Sequence, residues 1–176
     1  MAPSAKSTHT APRNPIVLQG QRILVVEDEA LVAMLVADGL SDAGAEVVGP
    51  AFSVNKALGL IECAAADGGL SAAVLDINLD GAAVSPVADR LAALGVPFVF
   101  ATGYGEDCDR GEHGAAPVLA KPFDPDALVA AVEGLAAGRQ CAARGSGPDR
   151  QDNRRRRPPP RVGASAPGYQ VSGGNH

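Results

Sequence analysis

The stretch that decides the fold is Ala72-Ala73-Val74-Leu75-Asp76, an apolar run that stops at an acid. Three further apolar runs stop at a polar residue in the same way. They are Ile23-Leu24-Val25-Val26 before Glu27-Asp28, Pro97-Phe98-Val99-Phe100-Ala101 before Thr102, and Val118-Leu119-Ala120 before Lys121. Open α/β sheets bind ligands at the carboxyl ends of their parallel strands. If these runs are neighbouring strands, their polar residues meet at one edge of the sheet, and Asp76 is the residue to explain.

Strand patterns alternate with helical patterns along the chain. In the first helical segment, Leu31, Met34, Leu35 and Leu40 recur at spacings of three to five residues, and Gly44 follows as a helix-terminating residue. The predicted strands and helices lie at 22–26, 30–43, 46–49, 53–66, 72–76, 85–94, 96–101, 106–113, 118–121 and 124–138. This alternation predicts an α/β fold with a doubly wound, five-stranded parallel sheet, a flavodoxin-like (βα)5 arrangement with strand order 2-1-3-4-5.

Charge is distributed unevenly along the 176 residues. Residues 21–138 carry 5 basic and 18 acidic residues, whereas residues 139–176 carry 8 Arg and 2 Asp. We expect a disordered amino-terminal tail at 1–20, a folded domain at 21–138 and a disordered tail rich in Arg, Pro and Gly at 139–176. An acidic folded domain argues against direct DNA binding.

Composition also restricts the environment of the protein. Its three cysteines are odd in number and widely spaced, which fits neither a disulfide framework nor a CxxC metal site. Residues 1–20 lack the apolar core of a signal peptide, and no apolar run approaches the ~18 residues of a membrane span. We therefore expect a cytoplasmic protein with no membrane partner. His9, His113 and His176 show no partnering pattern and are predicted to be bystanders.

The residues at the predicted sheet edge favour phosphoryl chemistry. Glu27, Asp28 and Asp76 would repel one another there. Mg²⁺ relieves such repulsion, because it prefers one or two carboxylates with water and phosphate oxygens. With its charge neutralised, an aspartate can attack a phosphoryl group and carry it as an acyl phosphate. Lys121 and Thr102 would then stabilise the oxygens of the transferred group.

The chain resembles the receiver domain of two-component response regulators, in the CheY-like superfamily, over about two thirds of its length. The matching pieces are Ile23-Leu24-Val25-Val26-Glu27-Asp28-Glu29, Val74-Leu75-Asp76-Ile77-Asn78-Leu79-Asp80-Gly81, Thr102 and Lys121-Pro122-Phe123. Each piece is weak alone, but four in order at the right element ends are specific. The match runs from Arg22 to Gly138.

The resemblance implies a role for each acid. Asp76 would be the phospho-acceptor, supplied by a sensor histidine kinase or a histidine phosphotransfer protein. Asp28 would be a direct Mg²⁺ ligand, with Glu27 helping through water. The backbone carbonyl of Asn78 would complete the metal site.

The resemblance also implies how the protein works. Lys121 and Thr102 would hold the phosphoryl oxygens, and the Lys121-Pro122 bond would be cis, which costs little only before proline. The protein would be a single-domain response regulator in a phosphorelay that signals through a downstream protein target. It would catalyse only its own phosphorylation and dephosphorylation, and so is not expected to be an enzyme in the wider sense.

One position departs from the family pattern. Many receivers have an aromatic residue three positions before the lysine, and here that residue is Val118. The segment from Phe98 to Gly105 instead places Tyr104 after the threonine. It resembles the stand-alone receiver subclass with a Phe-Ala-Thr-Gly-X-Gly motif. Tyr104, in a glycine-flanked loop, is therefore the switch candidate.

Three other functions stay open at the level of sequence. A metal-dependent phosphatase using Asp76 commonly has an acid two residues later, where this chain has Asn78. A flavin-binding electron carrier of similar topology needs a phosphate-binding loop after the first strand, where Glu27-Asp28-Glu29 would repel phosphate. A phosphorylation-independent protein-binding module, with the Arg-rich tail as its working part, is the remaining alternative.

Overall fold

The strands of this domain form the sheet that the sequence predicts. The computed structural model describes residues 16–103 and 110–145. The elements are β1 (Arg22–Val26), α1 (Ala30–Asp42), β2 (Glu46–Ala51), α2 (Val54–Ala66), β3 (Ala72–Asp76), β4 (Asn78–Leu79), β5 (Ala82–Ala83), α3 (Ser85–Ala93), β6 (Phe98–Thr102), a 3-10 turn (Gly111–His113), β7 (Val118–Ala120) and α4 (Pro125–Gly145). The parallel sheet has the order β2-β1-β3-β6-β7, and β4 and β5 form a separate hairpin. If the hairpin strands are left out and the five strands of the sheet are numbered in chain order, this is the predicted order 2-1-3-4-5. The flavodoxin-like fold is therefore confirmed.

The register of the sheet aligns the carboxyl ends of its central strands. Val26 in β1 pairs with Leu75 in β3, and Asp76 at the end of β3 pairs with Ala101 in β6. Thr102 at the end of β6 pairs with Ala120 in β7. The polar residues that follow these strands therefore share one edge.

Helices cover both faces of the sheet, and alternate strand residues serve the two faces. Ala73 and Leu75 pack on the side of α2 and α3, whereas Ala72 and Val74 pack on the side of α1 and α4. The side chains of β1, β3 and β6 are almost wholly buried, as expected for central parallel strands. Each Val, Leu or Ile buried in this way contributes about 1.5–3 kcal/mol to folding.

The first helix is confirmed, but most of its large apolar residues do not lie on its buried face. Ala33, Val36 and Leu40 are the buried residues of this helix. Leu31, Met34 and Leu35, three of the four residues whose spacing predicted the helix, are exposed to 71%, 54% and 69%. The spacing of large apolar residues thus identified the helix, but only Leu40 of the four lies on its buried face.

The last helix is longer than predicted. We expected Gly138 to end it, but α4 continues to Gly145. A glycine ends a helix when it adopts a positive φ, as Gly44 does at +92° after α1. Gly138 is not among the residues with positive φ, and inside a helix a glycine costs only about 1 kcal/mol relative to alanine.

Other segments also differ from their expected states. Leu18, placed in the amino-terminal tail, is fully buried and its N–H donates to the carbonyl of Ala43 at 2.9 Å. Of the helix predicted at 106–113, the structure describes the 3-10 turn Gly111–His113, and residues 104–109 lie outside the described part. None of the described helices has both the length and the hydropathy to cross a lipid bilayer.

Candidate functional site

Asp76 ends the central strand β3, and both of its carboxylate oxygens are hydrogen-bonded. The backbone N–H of Asn78 donates to Oδ1 at 3.2 Å, and the Nζ of Lys121 donates to Oδ2 at 2.7 Å. The side chain is 13% exposed. Asp76 is therefore held in place at the carboxyl edge of the sheet, and its side chain is not fully buried.

Three carboxylates meet at this edge. Glu27, Asp28 and Asp76 each offer one oxygen, and these oxygens all lie within 4.8 Å of one another. Carboxylate oxygens are the ligands that Mg²⁺ prefers, and three acids against the one ammonium of Lys121 leave an excess of negative charge. The donor set therefore fits a divalent hard cation.

The β4–β5 hairpin fixes the loop beside Asp28. Asp80 and Gly81 form its turn with φ of 50° and 84°, as expected for an Asp-Gly turn. The N–H of Asp80 donates to Oδ2 of Asp28 at 2.7 Å, and the N–H of Gly81 donates to the side-chain oxygen of Asn78 at 2.9 Å. The loop that carries the backbone carbonyl of Asn78 is thus tied to a predicted metal ligand.

Lys121 joins the elements of the site. Its N–H donates to the carbonyl of Thr102 at 2.7 Å, and its peptide bond to Pro122 is cis, as predicted. Its Nζ donates to Glu27 at 2.5 Å and to Asp76 at 2.7 Å. Burial lowers the pKa of this ammonium, but the hydrogen bonds that it donates to Asp76 and Glu27 outweigh burial and leave the pKa above its ordinary value. Lys121 is therefore charged at neutral pH.

Glu27 is buried to a degree that the sequence did not predict. It is 2% exposed, and its second oxygen accepts the N–H of Glu29 at 3.3 Å. Burial raises the pKa of the Glu27 carboxyl, and the charge of Asp76 raises it further, against the lowering effect of Lys121. The sequence predicted only a water-mediated role at the metal. The direct pairing with Lys121 joins residues 94 positions apart, and only the strand order could have indicated it.

Thr102 lies where the sequence predicted, at the same edge. It is the last residue of β6 and is 3% exposed. It follows Ala101, the neighbour of Asp76 across the sheet. The structure thus brings Glu27, Asp28, Asp76 and Lys121 into one cluster and places Thr102 on the adjacent strand.

The structure describes Val118, the residue at the position that departs from the family pattern, but not the switch candidate Tyr104. Val118, at the position where many receivers have an aromatic, is half-buried and pairs with Phe100 across β6 and β7. Tyr104 lies outside the described residues. Its role as a switch stays a prediction.

An apolar groove adjoins the acidic cluster. It has a volume of about 510 Å³ and reaches from α1 to the loop after Lys121. Its lining residues are Glu29, Val32, Leu35, Val36, Gly103, Lys121, Pro122, Phe123, Pro125 and Leu128. Leu35 is 69% exposed, so the groove presents apolar surface to solvent beside the site.

His113 has partners that the sequence did not indicate. Its Nε2 lies 2.7 Å from Oδ1 of Asp89, and its ring packs edge-on against Phe98 with centroids 5.4 Å apart. Phe98 in turn packs edge-on against Phe100 at 5.3 Å. The prediction that His113 is a bystander was wrong, because Asp89 is distant in sequence and only the fold brings it close.

Comparisons with known proteins indicate the same class of protein as the geometry of the site. No protein-family model matches the chain. The transcriptional regulatory protein PdtaR of Mycobacterium tuberculosis is 33% identical over 120 residues, which cover 64% of this chain and 55% of that protein. The chain therefore spans about half the length of the curated relatives it matches.

Solved structures resemble the chain more completely. SdrG from Sphingomonas melonis Fr1 is 41% identical with a TM-score of 0.55, over 68% of this chain and 97% of that one. A response regulator receiver protein from Sinorhizobium medicae is 25% identical with a TM-score of 0.55, over 68% and 96%. The response regulator PhyR from Brucella abortus is 30% identical with a TM-score of 0.58, over 73% and 53%.

The fold and the acidic edge define a receiver-type domain. The structural neighbours of this chain are receiver domains of response regulators, and its sheet has their strand order. By fold and by sequence similarity, the chain groups with the response regulators of two-component systems.

Proposed function

We propose that this protein is a two-component response regulator that accepts a phosphoryl group on Asp76 and signals through phosphorylation-dependent protein contacts. The observation that carries the proposal is that Lys121 donates to both Asp76 and Glu27 beside a third carboxylate, Asp28. A lone acid at a strand end is most often a turn former. An acid that shares an ammonium with a second acid at the switch point of a doubly wound sheet is typical of a reactive site.

The transfer itself needs little beyond positioning and charge. A carboxylate oxygen of Asp76 attacks phosphorus, and the bond from phosphorus to the donor histidine nitrogen breaks. The electron pair stays on that imidazole, which takes up a proton. Lys121, already hydrogen-bonded to Oδ2 of Asp76, and Thr102, on the next strand, are the residues we assign to the phosphoryl oxygens.

A metal ion would complete this site. Asp28, Asp76 and the backbone carbonyl of Asn78 are the proposed Mg²⁺ ligands, and Glu27 contributes charge from its buried position. When bound, Mg²⁺ would supply positive charge for the oxygens of the transferred group. Lys121 alone cannot balance the three acids.

The residue two positions after Asp76 favours a signalling role over a hydrolytic one. A phosphatase of this type would need an acid there to protonate the leaving group. The side-chain oxygen of Asn78 instead accepts the N–H of Gly81 and holds the hairpin turn. We therefore infer that the acyl phosphate acts as a signal to a downstream protein, supplied by a histidine kinase or phosphotransfer protein.

Incubation with Mg²⁺ and acetyl phosphate, followed by intact mass measurement, tests the proposal. We expect the mass of one phosphoryl group to be added to the wild type and to be absent in Asp76→Asn. Asp80→Asn is the matched control, because Asp80 reaches the site only through its backbone N–H and asparagine tolerates its positive φ. An adduct that persists in Asp76→Asn, or that never forms, would contradict the proposal.

A further inference from the structure

The helix α4 carries a charged residue in line with its buried stripe. Val132 and Ala136 are buried, at 0% and 3% exposure. Arg139 follows at the next position of the same stripe, because residues spaced by three and four share a helix face. The continuation of α4 past Gly138 is what keeps Arg139 on this face.

The guanidinium of Arg139 is incompletely paired. Its Nη1 is buried without a hydrogen-bond partner, and among the described residues no other buried side-chain nitrogen or oxygen lacks one. The nearby Arg22 is different, since its guanidinium donates to Glu46 at 3.1 Å and to the carbonyl of Gly69 at 3.1 Å. A buried, charged donor without an acceptor is costly, so an acceptor from outside the described residues would be bound favourably.

Two cavities meet at Arg139, at the amino edge of the sheet and away from Asp76. The larger has a volume of about 280 Å³ and includes the polar residues Gln21, Arg22, Ser71 and Gln140. The smaller has a volume of about 140 Å³, and its side chains other than Arg139 are aliphatic: Ile61, Ala65, Leu70, Leu94 and Val96. Both cavities include Gly69, Leu70 and Arg139, so Arg139 borders both a cavity with several polar residues and an aliphatic one.

We propose that Arg139 anchors a binding site for a small aliphatic carboxylate. The carboxylate oxygens accept from the guanidinium, whose planar fork matches a carboxylate in a bidentate geometry. The hydrocarbon part of the ligand fills the aliphatic cavity beside Ile61, Leu70 and Leu94. A phosphate would satisfy the guanidinium but would leave that cavity unfilled, which is why the lining selects a carboxylate. The site is independent of the proposed phosphorylation of Asp76.

Side-chain NMR of the full-length protein tests the site, with butyrate, acetate and phosphate as probes at constant ionic strength. The Arg139 guanidinium resonance is identified by its loss in Arg139→Met. We expect it to shift saturably with butyrate, with a midpoint at least several-fold lower than with acetate. The shift should persist in Asp76→Asn, which separates this result from the outcome for phosphorylation.

Two further variants keep the test decisive. Arg90→Met removes an exposed arginine that is paired with Glu62, and it should leave the butyrate response of Arg139 unchanged. Arg139→Lys keeps the charge without the fork and should weaken butyrate binding, as judged by butyrate-dependent thermal stabilisation. No saturable shift would mean that water alone satisfies the guanidinium. Equal midpoints for butyrate and acetate, or tighter binding of phosphate, would also overturn the proposal.

Discussion

The ammonium of Lys121 lies 2.5 Å from Oε2 of Glu27, closer than the 2.7 Å that separates it from Asp76. The residue assigned to the phosphoryl oxygens is thus anchored to a carboxylate that is not itself the phospho-acceptor. Under the proposed function, this would keep Lys121 in place when its bond to Asp76 is exchanged for a bond to a phosphoryl group.

Glu27→Gln should lower the affinity for Mg²⁺ while leaving the stability of the fold nearly unchanged. Since burial already disfavours the charged form of Glu27, the neutral amide should fold, with an unfolding free energy within about 1 kcal/mol of wild type without metal. Its Mg²⁺ affinity should fall about tenfold, because the cluster loses a negative charge. Titration calorimetry and urea denaturation measure the two effects. Glu29 is exposed, so Glu29→Gln is the control. An equal loss of Mg²⁺ affinity in that variant would contradict a specific role for Glu27 in metal binding.

Lys121→Met should change metal binding and phosphorylation in opposite directions. Removing the ammonium takes away a positive charge that partly neutralises the acids, so their affinity for Mg²⁺ should rise several-fold. Phosphorylation by acetyl phosphate should slow by about 100-fold, because a charge that stabilises the transferring oxygens is lost. Lys56→Met, an exposed lysine near the start of α2, should change neither. A variant that loses both properties would indicate simple misfolding of the site.

Mg²⁺ should stabilise the folded protein through Asp28. At about 100 times its dissociation constant, a ligand that binds only the folded state adds about 2.7 kcal/mol to the free energy of unfolding. Urea denaturation with and without Mg²⁺ should show this gain in the wild type, and EDTA should remove it. Asp28→Asn should lose most of the gain while Asp80→Asn keeps it. The same gain in both variants would place the metal elsewhere.

Leu35→Gln should impair partner recognition without impairing chemistry. Leu35 is 69% exposed and lines the groove beside Lys121, and exposed apolar surface of this kind is typical of a protein interface. We expect slower phosphotransfer from the partner kinase or phosphotransfer protein and an unchanged rate with acetyl phosphate. Ile16→Gln, exposed to 65% and away from this groove, is the control. Equal slowing with acetyl phosphate would mean that Leu35 supports the site itself.

His113 should contribute to stability more through packing than through charge. Asp89 is 65% exposed, so its ion pair with His113 is screened by solvent, whereas the ring of His113 is largely buried against Phe98. His113→Ala should therefore lower the free energy of unfolding by about 1–2 kcal/mol. Asp89→Ala should lower it by less than about 0.5 kcal/mol. Urea denaturation compares them, and a larger loss for Asp89→Ala would reverse this ranking.

Much of the fold could be predicted because four apolar runs in this chain each end at a polar residue. The strands Arg22–Val26 and Ala72–Asp76 were predicted with their observed bounds, since buried parallel strands are continuous apolar runs. Helix ends were less predictable. Gly44 and Gly138 look alike in sequence, but only Gly44 is in the left-handed region, where the chain must turn toward β2.

The candidate site could be predicted as a set of positions but not as a set of contacts. The acids, Lys121 and Thr102 follow from strand ends that share one edge. The Glu27–Lys121 pair depends on side-chain reach, and the Asp80–Asp28 hydrogen bond depends on where the Asp80-Gly81 turn lies relative to β1, which the turn pattern itself did not indicate. The inner face of α1 was hard to predict because two of its three buried residues, Ala33 and Val36, are smaller than the exposed Leu31, Met34 and Leu35.

The exposed leucines and methionine of α1 also affect how the protein behaves in concentrated solution. An apolar surface of this kind favours self-association, and residues 21–138 oppose it with 18 acidic against 5 basic residues. Like charge keeps copies apart at low ionic strength, and salt screens that repulsion within about 10 Å at 0.1 M. The colloidal stability of this domain therefore depends on its ionic environment, because its acidic surface compensates for the apolar face of one helix.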